Sequence, residues 1–184
     1  MAELTPTLDR FEGQLRSAGA SVADLFRPGI AVPESVPGVD GPLMLAPEVV
    51  ELYRWHDGTD DLGGSSNVLV PLGWSSPPFE RQLESLEGYL DELDYWPEMP
   101  YWRRLWFPVL HSGLEALAVD GASGEVWSSS ISTGEVSLVA PSLAVFFSRV
   151  IAAYEAGVFV VADGRVGLAD EDLDEIAFLS ASNR

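Results

Sequence analysis

The sequence predicts an α+β fold: a mostly antiparallel sheet of about four to six strands with helices packed on one side. Four segments repeat apolar residues at the helical period. Between Leu105 and Val139, short apolar runs follow one another at hairpin spacing, broken by Gly-containing turns. The helical segments stand before and after that run and do not alternate with it, so sheet and helices segregate.

Each element has its own signature. Residues 7–19 read as a helix with Thr7 as its cap and Leu8, Phe11 and Leu15 on one face. A further helical turn or two passes through Val22, Leu25 and Phe26. Pro28-Gly29 to Gly41-Pro42 is a Pro/Gly-rich connector, read as a loop over the domain. Residues 47–56 form a helix, with Pro47 at its first position, Val49, Leu52, Tyr53 and His56 on one face, and Gly58 closing it. Asn67 to Leu72 has strand character. Pro77 to Asp94 carries an apolar stripe of Leu83, Leu86, Leu90 and Leu93 at helical spacing. Beside it runs an acidic stripe of Glu80, Glu84, Glu87 and Asp91.

A Trp/Tyr/Pro-rich loop spans 95–104. The strand candidates are 105–110, 115–119, 125–129 and 135–139, with turns at Ser112-Gly113, Asp120-Gly121 through Ser123-Gly124, and Thr133-Gly134. Such short connections favour antiparallel pairing. A helix over 142–156 starts at Pro141-Ser142, buries Leu143, Phe146, Phe147, Val150, Ile151 and Tyr154, and ends at Gly157. The tail carries Val158 to Ala162, a turn at Asp163-Gly164 and an acidic helix near 170–179. The organisation is an N-terminal helical extension and loop (1–42), a central α+β domain (43–158) and a C-terminal strand/helix extension packed on it (159–184).

Composition narrows the function classes. The chain has 184 residues, 47% of them hydrophobic, enough for a proper core. Acidic residues number 29 against 10 basic ones, for a net charge of −19. Every basic residue is arginine, which excludes a Schiff-base or phosphate-cradling lysine. A surface this negative repels nucleic acid and anionic membranes and attracts a basic partner; it also serves solubility alone. Cysteine is absent, so disulfides and thiolate metal sites are excluded. The start, Met1-Ala2-Glu3-Leu4-Thr5, has no basic or apolar region of a secretory signal, and no apolar stretch reaches spanning length. The expected address is the cytoplasm.

Catalytic signatures are sparse. His56-Asp57-Gly58-Thr59-Asp60-Asp61 offers a histidine with three carboxylates, which could hold a divalent metal. Its spacing is wrong for a calcium loop, and the simpler reading is a helix end, a Gly turn and solvated acids. His111 sits at a strand end and reads as a structural histidine. No Gly-x-Ser-x-Gly, Walker loop or Gly-x-Gly-x-x-Gly occurs. The expectation is a non-enzyme without metal or cofactor.

The remaining features suit binding. Glu80, Glu84, Glu87 and Asp91, continued by Glu92, Asp94 and Glu98, make an acidic ridge beside Tyr95, Trp96, Tyr101 and Trp102. Aromatics next to acids are what a surface for a basic protein would use. The other reading is a solvated helix face with core aromatics. The candidate partner-binding residues are Glu80, Glu84, Glu87, Asp91, Glu92, Asp94, Tyr95, Trp96 and Trp102.

Segment order adds a resemblance. Leu45-Ala46-Pro47 leading to Trp55-His56-Asp57-Gly58 resembles the Leu-Pro-started helix of the SUKH superfamily, which ends in Asn-Gly or Asp-Gly. Trp106-Phe107-Pro108-Val109 is similar to that family's Trp-x-Pro-[Ile/Val] strand, and Gly124-Glu125-Val126-Trp127 to its Gly-x-Val-[Trp/Tyr] strand. Ala140-Pro141-Ser142-Leu143 with Phe146-Phe147 resembles its late helix start, and Tyr154-Glu155-Ala156-Gly157 that helix's end. The likeness covers roughly 43–158. Where the family carries Gly-Gly-Asp, this chain reads His111-Ser112-Gly113-Leu114-Glu115.

The resemblance implies a non-catalytic immunity protein that binds and neutralises a cognate, basic, nuclease-type toxin domain of a bacterial polymorphic toxin system. The alternative it implies is a regulatory scaffold in cell-envelope or signalling control, after the yeast cell-wall assembly regulator. Neither nucleic acid nor membrane is an expected partner, and the expected state is a monomer or weak dimer.

Overall fold

The structure is a computed structural model. It describes residues 3–60, 68–71 and 73–170. Among them the chain is α+β, built from four α-helices and a curled six-stranded antiparallel sheet. Asn67, Leu72 and Asp61, and the acidic segment expected beyond 170, lie outside the described residues.

Helix α1 (Leu4–Ala18) buries Leu4, Leu8, Phe11 and Leu15. It begins one turn earlier than Thr7, whose hydroxyl donates to the Glu3 carbonyl inside the helix instead of capping it. A short 3₁₀ turn (Ser21–Asp24) leads to β1 (Phe26–Pro28). The Pro/Gly connector holds a two-residue strand, β2 (Ser35–Val36), paired with β3 (Leu43–Met44). Helix α2 (Pro47–Trp55) starts on Pro47 and buries Val49, Val50, Leu52 and Tyr53.

Here the structure corrects the expected helix end. His56 is already extended, and His56–Thr59 form β4, antiparallel to β1. Gly58 does have the positive φ, 69°, that its sequence context suggested. It uses it inside a strand, where a Cβ would lie 2.5 Å from the Ser76 and Pro77 carbonyl oxygens. Only glycine allows that approach.

The main sheet takes β5 (Val68–Val70), β6 (Trp74–Ser75), β7 (Trp106–Ser112), β8 (Glu115–Asp120), β9 (Val126–Ser130) and β10 (Val136–Ala140). They lie side by side in chain order, from β5 at one edge to β10 at the other. Helix α3 (Phe79–Tyr95) separates β6 from β7, and α4 (Leu143–Glu155) follows β10. A last hairpin, β11 (Phe159–Ala162) and β12 (Arg165–Leu168), turns on Asp163 and Gly164, both at positive φ. Both turn residues left-handed is the two-residue geometry that matches strand twist.

Alternation sorts the side chains of the sheet into two cores. Phe107, Val109, Leu110, Leu117, Val119, Val126, Val139 and Ala140 join the main core with α1, α2, α4 and β11. The register slips between Pro108 and Leu110 and again between Leu138 and Ala140, and these bulges aim consecutive residues at that core. The opposite face gives Trp106, Ala116 and Ala118 to a smaller aromatic core. That core is closed by Leu93 of α3 and by Met99, Tyr101 and Trp102 of the following loop. Helix α3 thus spans the two, with Phe79 and Leu86 in one and Leu93 in the other.

Caps tie distant elements together. Glu48 of α2 accepts the Leu143 N–H at 2.6 Å, and Ser142 Oγ accepts that of Val145 at 3.3 Å, so two side chains serve the start of α4.

Candidate partner-binding surface

Helix α3 buries one face and leaves the other to solvent. Phe79, Gln82, Leu86 and Leu93 are buried, while Glu80, Glu84, Glu87 and Asp91 are exposed, as their spacing predicts. Glu92 and Asp94 are exposed too. Arg81 pairs with Glu84 at 2.9 Å, but no basic residue stands in the last turn of α3. Unpaired carbonyls give a helix C-terminus a negative partial charge, so cations stabilise it and acids do not. Asp91, Glu92 and Asp94 crowd that end. A cation from outside would relieve this charge, and local rules are characteristically broken at functional surfaces.

The chain leaves α3 through Trp96, whose N–H donates to the Glu92 carbonyl at 2.7 Å. Tyr95 is 94% exposed and Trp96 51%, so two large aromatics stand in solvent at the acidic helix end. With Asp91 and Glu92 they bound a shallow notch of about 390 Å³. Glu92 is anchored from below, because the Tyr101 hydroxyl donates to its carboxylate. That bond to Glu92, then burial, pushes the Tyr101 hydroxyl up to about 12.

Trp102 is the correction. It was expected in the partner-binding set, yet it is 1% exposed. Its ring stacks on Tyr89 at 3.7 Å and meets Trp106 edge-on at 5.7 Å. It supports the patch from inside and cannot touch a partner. The loop 96–105 has no periodicity that could mark Trp102 as inward and Trp96 as outward; only packing against the far sheet face decides it.

The candidates for chemistry separate. His56 Nδ1 lies 2.9 Å from the Arg27 carbonyl oxygen and its Nε2 3.2 Å from Glu12, with the ring stacked on Phe26. Asp57 points the other way, as strand alternation requires, and accepts the Phe79 N–H at 2.8 Å. Arg27 reaches its second oxygen at 3.3 Å. Both residues are therefore engaged in holding β1, β4 and α3 together. His111 lies on β7, its Nε2 2.7 Å from Gln82 Oε1, and burial lowers its pKa. Among the described residues, no three His, Asp or Glu side chains gather into a group able to hold a metal ion. No described helix is long and apolar enough to cross a membrane.

The fold and surface define an α+β domain with an acidic, aromatic-tipped helix. No protein-family model matches the chain, and neither does any curated protein at a significant level.

Proposed function

We propose that this chain is a non-catalytic immunity protein of the SUKH type, which binds a basic toxin domain and blocks it by contact. One observation carries the reading: Tyr95 and Trp96 stand exposed at the end of a helix whose last turn holds acids and no base. Tyr and Trp are among the residue types enriched at binding hot spots. The net charge of −19 would steer a cationic partner toward that surface. Support from sequence is the ordered SUKH resemblance over residues 43–158, whose bacterial members are largely immunity proteins acting in the cytoplasm.

The test is a toxicity rescue. The C-terminal domain encoded by the adjacent reading frame is expressed in a sensitive cell with and without this chain, and the lysate is examined for a co-purifying complex. Rescue with a stable complex is the expected result. An active toxin that is neither rescued nor bound would overturn the reading and favour a scaffold role.

A further inference from the structure

The notch at the end of α3 has a chemistry more specific than its charge. Asp91, Glu92, Tyr95 and Trp96 bound its 390 Å³ or so. Acids alone would be an ordinary solvated helix face; the aromatic rings make the difference. Tyr95 and Trp96 are both exposed, so a ligand can reach them. Asp91 and Glu92 precede Tyr95 by the i−4 and i−3 spacings that bring side chains together on a helix.

Two contacts fix the arrangement. The Trp96 N–H donates to the Glu92 carbonyl at 2.7 Å and ties the tryptophan to the last helical turn. The hydroxyl of the buried Tyr101 donates to Glu92 Oε2, which holds that carboxylate while Oε1 keeps its capacity to accept. Among the described residues no arginine pairs with Asp91 or Glu92, and the last turn of α3 holds no base. The helix end thus adds the partial negative charge of its last carbonyls to two carboxylates. On another face the chain supplies both members of an arginine–tryptophan pair, with the Arg103 guanidinium 5.6 Å from the Trp106 ring centroid. At the notch it supplies the rings and the acids only.

We propose that the notch receives an arginine side chain of the partner, with its guanidinium plane against the Trp96 and Tyr95 rings and its N–H groups donating to Asp91 and to Glu92 Oε1. This rests on the partner-binding reading of the surface and names the group that the partner brings. A guanidinium is planar, so it stacks on a ring while hydrogen-bonding in its own plane, and it is more weakly hydrated than an ammonium. Its several donors serve two carboxylates at once. An aliphatic side chain would cover the rings but leave the acids and the helix end uncompensated, and an anion is repelled. Tyr101 is a positioning residue here: it is buried and acts through Glu92.

The experiment titrates the full chain with the peptide acetyl-Gly-Arg-Gly-amide, and with its lysine and citrulline counterparts, at constant ionic strength. The Trp96 indole N–H is followed in ¹H–¹⁵N spectra. A saturable shift is expected with the arginine peptide in the millimolar range, with the lysine peptide at least about threefold weaker and no saturation with citrulline. Tyr95→Ala and Glu92→Gln should each weaken arginine binding about fivefold while keeping the wild-type melting temperature, because both side chains are exposed. Tyr101→Phe should weaken it about threefold and add little on top of Glu92→Gln, the coupling that a merely structural role does not produce. No saturation with the arginine peptide, equal binding of the citrulline peptide, or binding unaltered by Tyr95→Ala and Glu92→Gln would overturn the proposal. An intact toxin complex beside any of those results would leave the immunity reading standing. Arginine-selective binding without a toxin complex would keep the notch as an arginine site and overturn that reading instead.

Discussion

Asp57 of β4 accepts the backbone N–H of Phe79 at 2.8 Å, so a strand residue caps the helix that carries the candidate surface. The residue before α3, Pro78, makes no side-chain cap of its own. Asp57→Ala leaves a buried N–H without its acceptor and frees Arg27 from its partner. Urea denaturation should show a loss of about 1–3 kcal/mol, with Asp57→Asn losing less because the amide oxygen can still accept. Equal stability of Asp57→Ala and wild type would remove Asp57 as the anchor of α3.

Gly58 is the residue on which the β4 crossing depends. Its φ of 69° and the carbonyl oxygens 2.5 Å from a would-be Cβ act together. Gly58→Ala should lower stability by about 2 kcal/mol or more in thermal or urea unfolding. Gly88 on α3 is the control, since a Cβ there meets nothing within 4 Å. Gly88→Ala should be neutral or stabilising, by up to about 1 kcal/mol.

The burial of His111 sets a pH dependence. Its folded pKa lies below the ordinary 6.5, so the unfolded chain takes up the proton first on acidification. The contribution of His111 to stability is therefore complete above about pH 6.5 and is lost as pH falls toward the lower folded midpoint. Its ring resonances should titrate with a midpoint under 6.5 in the folded protein. A midpoint at or above 6.5 would contradict the buried, neutral imidazole.

Glu48 shifts in the other direction. Burial raises its carboxyl above the ordinary 4.5 despite the backbone N–H groups at the start of α4, so it favours the protonated form on folding. Its contribution is fully present below the unfolded pKa and falls as pH rises through the folded one. Glu48→Gln should accordingly lose less stability than wild type between about pH 4 and pH 7. Urea midpoints compared across that range check it, and parallel curves for the two proteins would refute it.

Much of the fold was legible. Helix α4 shows why: Ser142 caps it, and all six apolar residues of the 3-4 pattern are buried. The meander was equally plain, because hairpin turns are local. What could not be read depended on distant partners. On paper His56 ends the helical pattern of α2 and Gly58 closes it; in the fold His56–Thr59 are a strand paired with Phe26–Pro28, a partner far away in sequence that no local pattern announces. The short β12 strand exists through its pairing with β11. In the candidate site, the exposed acidic stripe followed from period alone. The division of the aromatics did not: Trp96 is half exposed and Trp102 is sealed by Tyr89 and Trp106, rings far from it in sequence or in another element.

That division separates stability from recognition. Trp102→Ala should lower unfolding free energy by about 3–5 kcal/mol. Tyr95→Ala should change it by no more than about 0.5 kcal/mol. A large stability loss at Tyr95 would mean that its ring is buried in solution and cannot serve a partner.

The most direct test of the central claim is calorimetric titration of the neighbouring toxin domain with three forms of this chain at low salt. They are wild type, Tyr95→Ala/Trp96→Ala, and Glu84→Arg/Glu87→Arg/Asp91→Arg. The predicted result is a tight wild-type complex, with each variant weakened at least about thirtyfold while its melting temperature is retained. Wild-type affinity in both variants would place the partner on another surface and contradict the role assigned to the end of α3.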